Sequence, residues 1–300
     1  MPRTFAASIV LAALASILAA EIVAQTEGPR ILIVTAHQDD NIAFAGMTYR
    51  MTHDLGGVVD LALLTDGAGG FRYATLAEPI YGLELTDEKV GREHLPEIRT
   101  REMIAAGEIL GIGEYYFLEQ YDHGFTTDAD TVLNAVWDTA FVRSGLTEIM
   151  TGGEYDYVVG LLPHEVMHGH HKSATILALR AVSALPAGPR PIVLGGFPCS
   201  FQGQVVGQSQ MIEFSGMQTY TETEVAGGAP LARFDNSMKI GHEGRLDYSI
   251  VVNWAIAEHK SQGTMQLLVQ RGGEECYWYF DANGSEGRAQ VTELFERLAR

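Results

Sequence analysis

Short runs that are apolar on both alternating faces punctuate this chain, and stretches with apolar residues every three or four positions separate them. ILIVTA (31–36), VVDLALLT (58–65), YDYVVGLLP (155–163) and PIVLGG (191–196) are of the first kind. Runs of that length predict strands buried on both faces of a sheet. EYYFLEQ (114–120) is a further β-rich run. The second kind predicts helices at 42–53, 129–143, 249–262 and 286–299. It also predicts one at 97–110, where Ile98, Met103, Ile104, Ile109 and Leu110 recur among charges and Gly111 supplies the stop, and one at SATILALRAV (173–182). Strand–helix alternation of this sort implies an α/β fold, a mostly parallel sheet with helices on both faces. Past residue 197 the pattern weakens. Residues 210–225 and 274–281 then predict strands of a smaller antiparallel element. No stretch has a linker's composition, so residues 28–300 are expected to form one domain with an elaborated C-terminal third.

Residues 1–24 stand apart. Arg3 precedes an apolar stretch from Phe5 to Ala20, and Ile22-Val23-Ala24 offers a cleavage site before Gln25. This is the layout of a secretory signal peptide, and the apolar stretch is short for a membrane span. The expectation is a secreted or periplasmic protein with no stable span after cleavage. Its two cysteines, Cys199 and Cys276, could then pair, although their spacing alone does not bring them together. A net charge of −18 argues against a nucleic-acid partner and against anionic lipid.

Candidate chemistry sits at two strand ends. ILIVTA runs directly into His37-Gln38-Asp39-Asp40. YDYVVGLLP runs into a segment holding His164, His168, His170 and His171, four of the chain's ten histidines. In an open α/β sheet, ligands bind beyond the carboxyl ends of the strands. Histidine and aspartate together suit zinc, so two such loops suggest one metal site. Successive side chains of an extended or turning segment diverge. One of Asp39 and Asp40 can therefore bind metal with His37 while the other faces the water, as a general base would. The bland alternative is that the aspartates merely cap the following helix.

The histidine segment reads two ways. His164-Glu165-Val166-Met167-His168 matches the H-E-x-x-H motif of zinc peptidases, which needs one helix through all five residues. Pro163 and Gly169 bracket the segment, against that helix. In the other reading His168 and His171, three apart, open the helix of SATILALRAV and share one face. His164 and His170 then read as ordinary surface or core side chains.

At this point the chain resembles the PIG-L/LmbE-like zinc-dependent N-acetylglucosaminyl deacetylases. Ala36-His37-Gln38-Asp39-Asp40 is similar to the family's A-H-P-D-D motif, and His168-Gly169-His170-His171 to its H-P-D-H motif. Thr65-Asp66-Gly67 resembles its T-D-G, and Arg99-Thr100-Arg101-Glu102 its R-x-x-E helix ending in L-G, here Leu110-Gly111. Phe117-Leu118 with Asp122 and Gly124 resembles F-L-G-x-x-D-G, and Ala257 to Gln262 the late A-x-H-x-S-Q. The ordered set spans residue 31 to about 262. Gln38 for proline, Asn41 for the glutamate that commonly follows D-D, Gly169-His170 for Pro-Asp and the Glu119-Gln120-Tyr121 interruption are departures. They bear on the sugar more than on the chemistry.

The resemblance implies a Rossmann-like fold and a Zn2+ ion held by His37, Asp40 and His171. It makes Asp39 the base, and a protonated His168, steadied by Asp122, the acid or oxyanion partner. The expected substrate is an N-acetylglucosamine-type sugar or glycoconjugate. Arg99 is a weaker candidate for holding substrate hydroxyls; a helix-surface ion pair with a glutamate serves it equally well. Two other readings remain at this level: a zinc peptidase using His164, Glu165 and His168, and a non-catalytic carbohydrate-binding relative.

Overall fold

A computed structural model describes residues 28–200, 213–269 and 273–300; the expected signal segment lies outside the described residues. Seven strands form one sheet: β1 (Arg30–Thr35), β2 (Val58–Thr65), β3 (Tyr115–Gln120), β4 (Tyr157–Leu161), β5 (Ile192–Ser200), β6 (Ala232–Asp235) and β9 (Glu274–Tyr279). Their order is β3-β2-β1-β4-β5-β9-β6. The first five are parallel; β9 runs antiparallel to both β5 and β6. Two short strands, β7 (Lys239–Gly241) and β8 (Leu246–Asp247), pair separately.

Five longer helices cover the sheet: α1 (Glu88–Leu110), α2 (Thr139–Gly153), α3 (Gly169–Ala184), α4 (Tyr248–Glu258) and α5 (Gly287–Leu298). Strand alternation sorts the core into two layers. Ile31 and Ile33 of β1 face one layer with Met103 of α1, Val252 and Ile256 of α4 and Leu294 of α5. Leu32 and Val34 face the other with Leu146 of α2 and Leu177 of α3. The uniformly apolar run at 31–36 is thus a strand covered on both faces, as its sequence requires.

The C-terminal third differs from expectation. Residues 274–279 form a strand, but it extends the main sheet. Of the strand expected over 210–225, residues 210–212 lie outside the described residues, and 213–225 hold an isolated bridge, Met217 to Tyr220, and a 3-10 turn at Thr221–Thr223. Helix α1 starts nine residues before the periodicity suggested. Asp87 caps it by accepting from the Val90 N–H at 3.0 Å, and Gly91 and Pro96 inside it mask the pattern. The stretch at 129–143 breaks at Trp137, which is extended, and Asp138 caps α2 anew. Residues 259–262 leave α4 as a turn. Cys199 and Cys276 form a disulfide between β5 and β9, with Cα atoms 5.6 Å apart.

One topological fact positions the site. From β1 the sheet grows through β2 and β3 on one side, and through β4 and β5 on the other. Loops leaving the carboxyl ends of β1 and β4 therefore part company and open a crevice between them. The first loop carries His37 to Asp40, the second His164 to His171.

Candidate metal centre and catalytic pocket

The turn after β1 is closed by one of its own side chains. Asp40 Oδ2 accepts from the backbone N–H groups of Ala36 (3.0 Å) and His37 (2.9 Å). Thr65 Oγ1 donates to Ala36 O at 2.6 Å, which ties the end of β2 to the same turn. Asp40 is thereby fixed with Oδ1 free, 3.0 Å from His171 Nε2 and 3.9 Å from His37 Nδ1. His37 Nδ1 lies 2.9 Å from His171 Nε2. Two imidazole nitrogens and one carboxylate oxygen thus converge on a single point. The donor set fits a borderline divalent cation such as zinc, with three protein ligands as in catalytic sites.

Charge within this group follows burial and proximity. Burial lowers His37 well below the ordinary imidazole value, and His171 and His170 add to the effect against Asp40. Burial works to raise Asp40, but His171 and His37 override it and hold the carboxyl well below its usual range. His171 is raised, because Asp40 more than offsets the burial that would lower it.

Asp39 diverges from Asp40. Its Oδ1 accepts from Arg99 Nη2 at 2.7 Å, while Arg99 Nη1 donates to Gly67 O at 2.7 Å. Arg99 is 3% exposed, so the expected surface ion pair with a glutamate does not exist; its carboxylate partners are Asp39 at 2.7 Å and, more loosely, Asp122 at 4.0 Å. Asp122 is also buried. Its carboxylate lies 3.7 Å from His37 Nε2, 3.6 Å from His170 Nδ1 and 4.0 Å from Arg99 Nη1, so its close partners are those residues and not His168.

His168 ends the second loop and caps α3: its Nδ1 accepts from the His170 N–H at 3.0 Å. That bond leaves the proton of a neutral ring on Nε2. Burial, then His171, pushes the ring down to about 4. A ring held that low serves at neutral pH as an N–H donor, whereas the resemblance implies a cation.

His170 was read as an ordinary side chain, and the structure places it in the site. It is fully buried, with Nδ1 3.1 Å from His37 Nε2 and Nε2 2.8 Å from His123 Nδ1. With His37 Nδ1 turned to the ligand group, its Nε2–H donates to His170, whose own Nε2–H donates to His123. Such outer bonds fix ligand orientation. The visible signal was the departure at His170, where the family motif carries aspartate.

His164 and Glu165 do not join this group. Residues 162–168 form no helix, and Glu165 is exposed. Lys172 instead pins the loop by donating to Glu165 O and Thr127 O. The H-E-x-x-H peptidase reading fails on this backbone, since it needs both histidines on one helical turn.

The remaining motifs act from behind. Glu102 accepts from the backbone N–H and hydroxyl of Ser261 (2.9 and 2.6 Å). This contact holds the turn after α4 so that Gln262 reaches the pocket and His259 Nε2 meets Asn41 Oδ1 at 3.2 Å. Burial lowers His259 to about 4. At Gly69 a Cβ would fall 2.3 Å from Asp122 Oδ1, so only glycine lets this loop pass the carboxylate. The result is a cavity of about 330 Å3 lined on one side by His37, Asp39, Asp40, Arg99, His168 and His171.

Residues 32–182 match the family described as PIG-L, GlcNAc-PI de-N-acetylase, and the chain belongs to that family. It is 26% identical over 163 residues to a Bacillus cereus protein named "Probable N-acetyl-alpha-D-glucosaminyl L-malate deacetylase 2". That match covers 54% of this chain and 65% of the relative, so the chain spans just under two thirds of the curated relative's length. Among solved structures it is similar to the N,N'-diacetylchitobiose deacetylase of Pyrococcus horikoshii. The identity is 21%, the TM-score 0.41, and 65% of this chain and 70% of that chain are covered. It is also similar to GalB, the 4-carboxy-2-hydroxymuconate hydratase of Pseudomonas putida KT2440. Here the identity is 12%, the TM-score 0.48, and 83% and 95% of the two chains are covered.

Proposed function

We propose that the protein is an exported, zinc-dependent N-deacetylase acting on an N-acetylglucosamine-type sugar or glycoconjugate. The observation that carries this reading is the convergence of His37 Nδ1, Asp40 Oδ1 and His171 Nε2 in a cavity that also holds Asp39. Membership of the family supports the reaction class. The Cys199–Cys276 bridge supports export, since such bonds persist in oxidising compartments. Among the described residues no helix is long and apolar enough to cross a membrane.

His37, Asp40 and His171 would hold the ion. When bound there, zinc supplies Lewis acidity, acidifying a water and polarising an amide carbonyl. Asp39, oriented by Arg99, takes a proton from the attacking water. His168 Nε2–H donates a hydrogen bond to the oxyanion that develops on the former carbonyl. Asp39 then returns its proton to the departing nitrogen, and acetate and a free amine leave. Asp122 and His170 keep His37 in one tautomer and orientation. A carbohydrate-binding relative without chemistry would have no use for a carboxylate held beside the ligand group by a buried arginine.

The test is release of amine from a panel of N-acetylated sugars by the purified protein. Turnover that a chelator abolishes and added zinc restores is the expected result. Amine release indifferent to the chelator would refute the metal assignment, and none with any substrate would refute the activity.

A further inference from the structure

The pocket has two unlike walls. One carries the charged groups described above. The other is built by Leu161 of β4, Phe197 and Pro198 of β5, Val252 and Ile256 of α4, and Met265 in the turn beyond. Phe197, Pro198, Met265 and Leu268 carry its accessible part, and Val252 and Ile256, four apart on one helical face and 2% and 1% exposed, form its floor against the main core. Four separate segments thus converge to make an apolar surface that runs up to the ligand group. No charged side chain interrupts it among the lining residues of those segments.

Resting on the deacetylase reading, we propose that this wall is an acyl pocket and that the preferred substrates are N-acyl amino sugars with acyl chains longer than acetyl. The two halves of such a substrate differ in kind. The amine half bears hydroxyls, which require donors and acceptors, and Arg99, Asp122, His168 and Gln262 stand on the polar wall. The acyl half offers hydrocarbon alone. With the carbonyl at the ligand group, the polar half belongs with the polar wall and the acyl chain extends along the apolar one. An acetyl group has a single methyl to place there, whereas the wall extends over two strands, a helix and a turn. Apolar surface left wet by a short substrate is binding that a longer chain recovers. Water attacks the same carbonyl in either case: the C–N bond breaks, the amine takes a proton, and a carboxylate of the original chain length leaves.

The experiment uses the zinc-loaded full-length protein and N-acyl glucosamines from acetyl through butanoyl and hexanoyl to octanoyl, with glucosamine as the common product. Each methylene buried should raise kcat/KM about 4-fold until the pocket is filled, with KM carrying most of the change. Val252→Trp, which fills the apolar side, should lower the octanoyl-to-acetyl ratio of kcat/KM by more than about tenfold on the same scale. Its unfolding transition is measured alongside to show that it folds; if it does not, Val252→Phe takes its place. Acetyl turnover with a flat or falling chain-length series would overturn the acyl pocket and leave the deacetylase reading standing. A rising series that Val252→Trp and Val252→Phe leave unchanged would overturn the placement of the chain on this wall. Failure to cleave an amide of any length would overturn both readings.

Discussion

Arg99→Met removes the one cation bonded to Asp39. The 2.7 Å contact is buried, with the Arg99 side chain 3% exposed and that of Asp39 12% exposed. Removing one partner of a buried ion pair costs about 3–5 kcal/mol, because the other charge stays behind uncompensated. Asp39 borders the cavity, so water relieves part of that cost and the lower end, about 3 kcal/mol, applies. For a chain of this size the loss corresponds to a fall in Tm of about 6 °C. Asp39→Asn alone strands the arginine at a similar cost. In the double variant Arg99 and Asp39 are both neutralised and only Asp122, 4.0 Å from the lost guanidinium, is left without that cation, so the loss should still fall short of the sum by about 2–3 kcal/mol. Urea denaturation followed by tryptophan fluorescence measures all four proteins; Trp137 and Trp278 are both buried and report unfolding. Losses that add to within about 0.5 kcal/mol would show that Arg99 and Asp39 do not act as a pair.

Three further outcomes are expected. Gly69→Ala should weaken zinc affinity about 10-fold or more with a nearly unchanged Tm, because the new Cβ displaces Asp122 from behind His37; calorimetric titration reads this. In the metal-free protein Asp40 holds His171 above the ordinary imidazole value of 6.5, so its contribution to stability is full below pH 6.5 and is lost as pH rises through the folded-state value. The difference in unfolding free energy between wild type and His171→Gln should therefore shrink as pH climbs above 6.5; a difference that grows would contradict the assignment. Cys276→Ser should cost about 4.5 kcal/mol of stability, the chain-entropy figure for a closure of 77 residues, and reducing wild type should cost the same.

The parallel half of the fold was legible because its strands are covered on both faces. A run such as Ile31 to Val34 has no other stable placement. That the loop of His37 meets the histidine-rich loop followed from the same argument, since strand ends at a switch point face one another; the choice of His171 within that loop rested on the family resemblance. The last strand was misassigned to a separate element because Glu274 to Tyr279 mixes charge and aromatics, and nothing local shows which sheet edge it will join. The surface ion pair is a natural expectation for Arg99 because it lies on a helix full of charges. Its burial depends on Asp39 and Gly67, which come to it from other strand ends. His170 was set aside because one more histidine in a row of four carries no directional signal until α3 has a fixed start. The His168 side chain sets that start by accepting from the His170 N–H, and His170 then turns inward.

The central claim is that adjacent aspartates divide the work, Asp40 holding the ion and Asp39 moving the proton. Zinc content and deacetylation rate measured on the same preparations of wild type, Asp39→Asn and Asp40→Ala test it most directly. The account predicts one ion per chain in wild type and in Asp39→Asn. Turnover of Asp39→Asn should be lower by about 10²–10⁴-fold, and Asp40→Ala should lose both ion and activity. An Asp39→Asn protein without zinc beside an Asp40→Ala protein that retains it would contradict the account.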